Sequence, residues 1–116
     1  MKINSYKELI VWQKSIQLVS EIYKLTEKFP RAEVYGLTSQ MRRCAVSIPS
    51  NIAEGWQRGT KKDYRHFLLI SFGSSAELET QLIISKSLHY SQNTDIIDNL
   101  LLEVLKMLNA MIAKLS

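Results

Sequence analysis

Residues 47–67 read SIPSNIAEGWQRGTKKDYRHF, and this stretch marks a turn between two helical patterns. Apolar side chains recur every three or four residues on both sides of it, as on one face of an α-helix. Pro49 stands inside the first pattern, where its missing N–H and its ring predict a kink. Gly55 is placed as the residue just past the end of that helix. The stretch therefore predicts a kinked helix, a turn, and a second helix that opens with basic residues.

The same spacing divides the rest of the chain into helices. We predict four of them: residues 6–28, a segment from 31 or 33 to 54, residues 60–89, and a segment starting near 93 or 94. The expected core faces, in chain order, are Leu9, Trp12, Ile16, Val19 and Tyr23, beside a second stripe of Val11, Leu18, Ile22, Leu25 and Phe29; then Leu37, Met41, Cys44, Ile48 and Ile52; then Tyr64, Phe67, Leu68, Ser71, Ser75, Leu78 and Leu82; and finally Ile97, Leu101, Val104, Leu108, Met111 and Leu115.

Local signals mark the ends of these helices. The residue before Pro30 is pushed out of the α region, so the first helix stops at Phe29. Thr60 is placed to cap the third helix, with Asp63 where a capping box usually has Glu or Gln. Asp95 and Asp98 stand near the positive end of the fourth helix. The small residues 73–76 would let a neighbouring helix approach the third helix closely.

Four helices with short connections, and no strand-like alternation, predict an all-α fold: a single-domain (residues 1–116), antiparallel up-down four-helix bundle. The fourth helix has further apolar residues outside its main stripe. Two readings of this surplus stay open, a wide core face or a surface that associates with another subunit. The surplus residues are Ile96, Leu100, Leu102, Leu105 and Ile112.

The positive charge is concentrated around the turn. Residues 42–66 hold six basic and two acidic side chains, and the rest of the chain holds nine of each, so this window carries the whole net charge of +4. Such a cluster attracts phosphates. The amino terminus lacks the apolar region of a signal peptide, and no apolar run approaches bilayer-spanning length. We therefore expect a cytoplasmic protein that does not engage membranes.

A polar ridge follows one side of the second helix at spacings of three or four. It is either a solvated face or a hydrogen-bonded ridge packed on the third helix, with Glu77 or Glu79 pairing with Arg43. In the second case Asn51 would serve a backbone carbonyl freed by Pro49. The ridge consists of Gln40, Arg43, Ser47, Asn51, Glu54 and Arg58.

Residues 37–55, LTSQMRRCAVSIPSNIAEG, resemble the signature of the four-helix bundle family named for the 23S rRNA intervening-sequence protein. The motif residues that carry this resemblance and the associated packing are Gln40, Arg43, Ser47, Pro49, Asn51, Glu54 and Gly55, with Glu77 on the third helix. The strings LIVW at 9–12, FP at 29–30, YGL at 35–37, YRHFL at 64–68 and SAELE at 75–79 are similar to the same family. The resemblance covers nearly the whole chain.

The resemblance implies a bundle that assembles as a ring-shaped homopentamer. Some members of the family are encoded within insertions of bacterial 23S rRNA genes. A related branch is the accessory variability determinant of diversity-generating retroelements, which engages nucleic acid and a reverse transcriptase. The resemblance implies no enzymatic activity and no cofactor.

The leading hypothesis is an oligomer that binds RNA or DNA without catalysis. Arg58, Lys61, Lys62 and Arg65 would contact phosphates, helped by the exposed N–H groups that open the third helix. Two alternatives stay open for Trp56, which would either stack on an unpaired base or pack over one end of the bundle. Further phosphate contacts are assigned to Arg42 and Arg43. The alternative function is a scaffold whose basic surface docks an acidic protein.

The sequence offers no set of catalytic or metal-ligating residues. An all-helical ribonuclease of the HEPN type needs an arginine four to six residues before its histidine, and His66 is preceded at five by Lys61 and at eight by Arg58. Two separated histidines and one cysteine form no metal-binding cluster. Cys44 falls on an apolar face and is expected to be a small core residue. We therefore predict no catalytic residue, no metal and no cofactor.

Overall fold

The computed structural model describes residues 2–116 and contains four α-helices and two short 3₁₀ helices. The α-helices are α1 (Ile10–Glu27), α2 (Leu37–Arg58), α3 (Lys61–Ser87) and α4 (Asp95–Lys114), and the 3₁₀ helices are Tyr6–Glu8 and Arg31–Glu33. No strand occurs within the described part of the chain, which confirms the all-α prediction. Met1, which the predicted domain included, lies outside the described residues.

Each α-helix packs against two others. α2 contacts α1 and α3, and α4 also contacts α1 and α3, so the four helices close around one core. The Lys14 Nζ atom lies 2.8 Å from the Glu103 carboxylate and joins α1 to α4. The side chains that are fully buried in this core include Leu18, Ile22, Met41, Ile48, Ile52, Leu68, Leu78, Leu82, Val104 and Leu108.

The first helix buries mainly the second of its two predicted stripes. Val11, Leu18 and Ile22 are buried, whereas Ile16 and Tyr23 of the first stripe are 41% and 42% exposed. Leu9, Trp12 and Val19 of the first stripe pack at the edge of the core. Both stripes are apolar, so the sequence did not choose between them, and the neighbouring helices decide which one faces the core.

The second helix does not end at Gly55. It continues one turn further to Arg58, and Gly59, with a φ of 87°, is the residue that terminates it. Gly55 is buried because α3 passes close to it: a Cβ built on Gly55 would lie 2.8 Å from the Cβ of Phe67. α2 runs through Pro49 as one helix, and the kink expected there stays a prediction.

The predicted beginning of the third helix is confirmed. The Thr60 hydroxyl accepts a hydrogen bond from the Asp63 N–H at 3.1 Å and caps α3. Small polar residues let α3 approach α2, since the Ser71 hydroxyl donates to the Ile48 carbonyl at 2.9 Å. Gly73 does not contribute to this approach, because a Cβ there would have no neighbour within 4 Å.

The expectation that no apolar run approaches bilayer-spanning length was wrong for the third helix. By length and composition alone, α3 is long and apolar enough to cross a membrane. In this structure its inner face packs against α2 and α4, and the core helices of soluble proteins meet the same criterion. Its exposed residues include Glu77 and Glu79 near the middle of the helix, where a bilayer would penalise charge.

The fourth helix begins at Asp95 and buries most of its predicted face. Met111 and Leu115 of that face lie at the edge of the core. The surplus apolar residues divide into three groups. Leu100 and Ile112 belong to the core, Leu105 lies at its edge, and Ile96 and Leu102 are 66% and 50% exposed.

A hydrogen-bonded cluster fixes the end of the bundle where α2 starts and α3 ends. The Glu33 carboxylate accepts bonds from the Leu37 N–H at 3.1 Å and from the Tyr90 hydroxyl at 2.9 Å. These two donors, the backbone one first, lower the pKa of Glu33 from its ordinary value of 4.5. The same contact, together with burial, raises the pKa of Tyr90.

The Glu33 cluster is expected to make stability depend on pH in the acidic range. Because the folded-state pKa of Glu33 lies below 4.5, its stabilising contribution is present above pH 4.5 and is lost as pH falls through the lowered value. In Glu33→Gln, urea unfolding at several pH values should show a smaller loss of stability below pH 4.5. Tyr90→Phe should keep part of the pH dependence of stability, because the Leu37 N–H still donates a hydrogen bond to the Glu33 carboxylate. An unchanged pH profile in Glu33→Gln would contradict this assignment.

Candidate nucleic-acid interface

The turn between α2 and α3 brings three basic side chains to one site. The left-handed backbone of Gly59 reverses the chain, and the Thr60 cap starts α3 at once. Lys61, Lys62 and Arg65 then fall within the first two turns of α3. Their side chains line an open cavity of about 550 Å³ together with His66, Leu69, Leu115 and Ser116.

The end of α4 forms the other wall of this cavity. The Arg65 Nε atom donates a hydrogen bond to the Ile112 carbonyl at 3.4 Å, which leaves the outer nitrogens of its guanidinium group for another acceptor. Lys61 and Lys62 are exposed. No ion pair within residues 2–116 involves any of these three cations. The site therefore presents three uncompensated positive charges beside two apolar residues, Leu69 and Leu115.

The predicted phosphate contact at Arg58 is partly occupied. Its Nε atom lies 2.9 Å from the Glu54 carboxylate, and its guanidinium carbon lies 4.9 Å from the centre of the Phe67 ring. Both partners of the ion pair are half exposed, so the pair itself contributes little stability. Arg58 is therefore held by Glu54 and Phe67 and does not line the cavity, whereas Lys61 and Lys62 do.

Trp56 lies beside the turn and is partly buried. Its ring contacts the Tyr64 ring edge to face, with centroids 5.9 Å apart. This contact favours the packing role over the end of the bundle among the two alternatives that the sequence left open. Burial also raises the pKa of Tyr64.

Arg42 and Arg43 are not part of this site. Sixteen residues of one helix separate Arg42 from Arg58, which is about 24 Å along the axis. Arg42 donates from Nε to the Thr26 hydroxyl at 2.8 Å and stacks over the Tyr23 ring at 4.5 Å, so it joins α2 to α1.

Arg43 follows Arg42 around α2 and lines a groove between α2 and α3. The groove has a volume of about 450 Å³, and Glu77 and Cys44 also line it. The predicted Arg43 ion pair with Glu77 or Glu79 is absent from the ion pairs of residues 2–116. Arg43 and Glu77 line the same groove but form no ion pair with each other.

The polar ridge of α2 is hydrogen-bonded in its middle and exposed at its ends. The Ser47 and Ser74 hydroxyls share a hydrogen bond at 2.8 Å, which joins α2 to α3. The Asn51 amide donates to the Ser47 carbonyl at 2.8 Å. Asn51 was expected to serve the carbonyl that Pro49 frees, which belongs to Ala45, so that expectation was wrong. Gln40, Arg43 and Glu54 are exposed.

Cys44 is a structural residue. It is 6% exposed, and its thiol donates to the Ser74 carbonyl at 3.0 Å. Burial, with a smaller contribution from the Glu77 charge, raises the pKa of the thiol to about 12. A thiol with that pKa stays protonated at neutral pH and is a poor nucleophile. Among residues 2–116, no group of His, Cys, Asp and Glu is arranged to hold a metal ion.

Two apolar residues of the cavity were not expected from the sequence. Leu69 had no predicted role, and Leu115 was assigned to the core. The signal that would find them is topological: the end of α4 must return to the start of α3 when the two helices pack side by side in opposite directions. Charge counting along the chain does not carry that information.

A family model described as 23S rRNA-intervening sequence protein matches residues 7–110. The structure is similar to the crystal structure of a protein with unknown function from the S23 ribosomal protein family of Bacteroides thetaiotaomicron, with a TM-score of 0.78 and 25% sequence identity. That similarity covers 89% of this chain and 98% of the other. No curated protein matches the chain.

Proposed function

Because the chain belongs to the 23S rRNA-intervening sequence protein family, we propose that it is a non-enzymatic, homo-oligomeric bundle that binds RNA or DNA. The proposed contact surface is the cavity at the start of α3, with Lys61, Lys62 and Arg65 on phosphates. Arg58, in the last turn of α2, is a further phosphate contact. Contacts of this kind tolerate sequence changes in the nucleic acid.

The observation that carries this proposal is the set of three uncompensated cations around one open cavity. Lys61 and Lys62 also belong to the first turn of α3, whose free N–H groups add to the attraction for anions. Leu69 and Leu115 offer apolar surface to a base or sugar between phosphates. The cavity therefore combines the charge and the apolar contact that a nucleic-acid strand uses.

The proposed assembly strengthens this binding. In the proposed up-down bundle neighbouring helices are antiparallel, an arrangement supported by the contacts of Ile48 with Ser71 and of Gly55 with Phe67, which run in opposite order along α2 and α3. A ring-shaped homopentamer would repeat the cavity five times, and linked weak contacts gain avidity. We place this assembly in the cytoplasm, away from membranes, with a reverse transcriptase or another protein as a further partner.

Reversing two charges tests the proposal. In Lys61→Glu/Lys62→Glu, affinity for a structured RNA at 0.1 M salt is expected to fall at least about 10-fold. Because each contacted phosphate releases counterions, the slope of log affinity against log salt should also become shallower by roughly 1.5–2. Fluorescence anisotropy across a salt titration measures both quantities.

The matched control is Lys24→Glu/Lys28→Glu, which changes the net charge equally on exposed residues at the far end of α1. It should lose much less affinity, and its salt slope should stay near that of the parent. Salt-independent binding by the parent, or equal losses in both variants, would refute the assigned surface. An acidic protein partner, the alternative, would remain bound in a pull-down after nuclease treatment.

A further inference from the structure

The groove between α2 and α3 is a second candidate binding site, separate from the basic cavity at the turn. Its volume of about 450 Å³ falls within the range of roughly 300–1,000 Å³ that is usual for small-molecule sites. Along α2, Arg43 in this groove lies about 22 Å from Arg58 at the turn. Most of the lining is polar and includes Ser39, Gln40, Arg43, Ser47, Ser74 and Glu77.

Two hydrogen bonds between α2 and α3 hold the walls of this groove together. The Cys44 thiol donates to the Ser74 carbonyl at 3.0 Å, and the Ser47 and Ser74 hydroxyls share a bond at 2.8 Å. The Asn51 amide also donates to the Ser47 hydroxyl at 3.1 Å. The groove is therefore formed before any ligand arrives, and a preformed site loses less free energy to ordering when it binds.

The two charged side chains of the groove have no partner of opposite charge. Arg43 belongs to the α2 wall and Glu77 to the α3 wall, and neither forms an ion pair within residues 2–116. Charge is sparse on this part of both helices, since α2 carries two arginines between residues 37 and 53 and α3 carries two glutamates between residues 67 and 85. One cation and one anion thus face the same groove.

A buried glutamine holds the Glu77 carboxylate. The Gln81 side-chain amide donates to this carboxylate at 3.4 Å, and Gln81 is 5% exposed. The Gln81 Oε1 atom is buried and has no hydrogen-bond partner within residues 2–116. A buried acceptor without a donor costs free energy. The α3 side of the groove can therefore accept more hydrogen bonds than the chain supplies.

The charges of the groove suit a zwitterionic ligand. With one cation and one anion the groove has no net charge, so a polyanion such as a nucleotide would place like charge against Glu77. An α-amino acid carries one group for each wall. Its carboxylate can accept two parallel hydrogen bonds from the Arg43 guanidinium, and its ammonium group has three donors for carboxylate and amide oxygens.

We propose that the α2–α3 groove binds a free α-amino acid, with the carboxylate of the ligand on Arg43 and its ammonium group on Glu77. The ligand completes, through one small molecule, the ion pair that these two side chains do not form directly. Ser39 and Gln40 supply neutral hydrogen-bonding groups for its side chain. This proposal does not rest on the nucleic-acid site or on the assembly of the chain.

Calorimetric titration of the whole chain with each of the standard L-amino acids tests the proposal. At least one amino acid is expected to bind, with one site per chain. Arg43→Gln and Glu77→Gln should each lower its affinity by at least about 10-fold, because each leaves one charged group of the ligand without a partner. The matched controls Lys106→Gln and Glu79→Gln change the same charges on exposed residues outside the groove, and they should keep the affinity within about 2-fold.

Two analogues of the bound amino acid assign its two charged groups. The amino-acid amide lacks the carboxylate, and the N-acetyl derivative lacks the ammonium group. Arg43→Gln should therefore weaken the amino acid but change the affinity for its amide by less than about 2-fold, and Glu77→Gln should spare the N-acetyl derivative in the same way. Ligand-observed NMR measures these weaker affinities. Equal losses for every ligand would mean that the variants only distort the groove, and would overturn the assignment.

The failures of this proposal and of the proposed function are distinguishable. The absence of binding by any amino acid at about 10 mM, or binding that survives both variants, overturns the amino-acid site and leaves the nucleic-acid surface standing. Guanosine monophosphate that binds in place of amino acids and is lost in Arg43→Gln would contradict a zwitterion site. Lys61→Glu/Lys62→Glu should keep the amino-acid affinity of the parent, and Arg43→Gln should keep its RNA affinity within about 2-fold.

Discussion

Gly55→Ala is expected to lower the free energy of unfolding by about 1–2 kcal/mol, although alanine is the better helix former. The intrinsic preference for alanine would favour the variant by about 1 kcal/mol. The added methyl carbon, however, would lie 2.8 Å from the Phe67 Cβ and 3.2 Å from the Tyr64 carbonyl oxygen. Both atoms are fixed close to the backbone of α3, so the two helices must separate, and overpacking of this kind costs typically 1–3 kcal/mol.

Gly73→Ala is the matched control, because Gly73 also lies inside a helix. A Cβ at Gly73 would meet no atom within 4 Å, so only the helix preference acts, and stability should rise by about 0.5–1 kcal/mol. Urea unfolding followed by circular dichroism measures both changes. Both substitutions add one methyl group, yet we expect the free energy of unfolding to fall in Gly55→Ala and to rise in Gly73→Ala. A gain of stability in Gly55→Ala would show that α2 and α3 are not in close contact there.

The glycines also show what the sequence reveals about helix ends. Gly55 and Gly59 stand four residues apart, and either would suit the position after the last helical turn. The choice between them depends on α3, which approaches Gly55 so closely that no side chain fits. That approach is a tertiary contact and leaves no local signal. Thr60, by contrast, acts on a neighbour three residues away, so its role as a cap was predictable and is confirmed.

The candidate site was predictable in its centre and not in its extent. Lys61, Lys62 and Arg65 are close in sequence and share the start of one helix, so the structure brings them together. Arg42 and Arg43 belong to the same basic stretch of the sequence but not to the same site. Because α2 runs as one helix from Arg43 to Arg58, these two arginines lie on other surfaces. Sequence proximity therefore predicted the part of the site that lies within two helical turns.

Leu18→Ala is expected to lower the free energy of unfolding by about 3 kcal/mol, because Leu18 is fully buried and its removal leaves a cavity. Ile16→Ala, two residues away, should cost less than about 1 kcal/mol in the isolated chain, because Ile16 is 41% exposed. The pair decides which of the two apolar stripes of α1 faces the core. Comparable losses in both variants would mean that α1 is rotated toward the stripe containing Ile16.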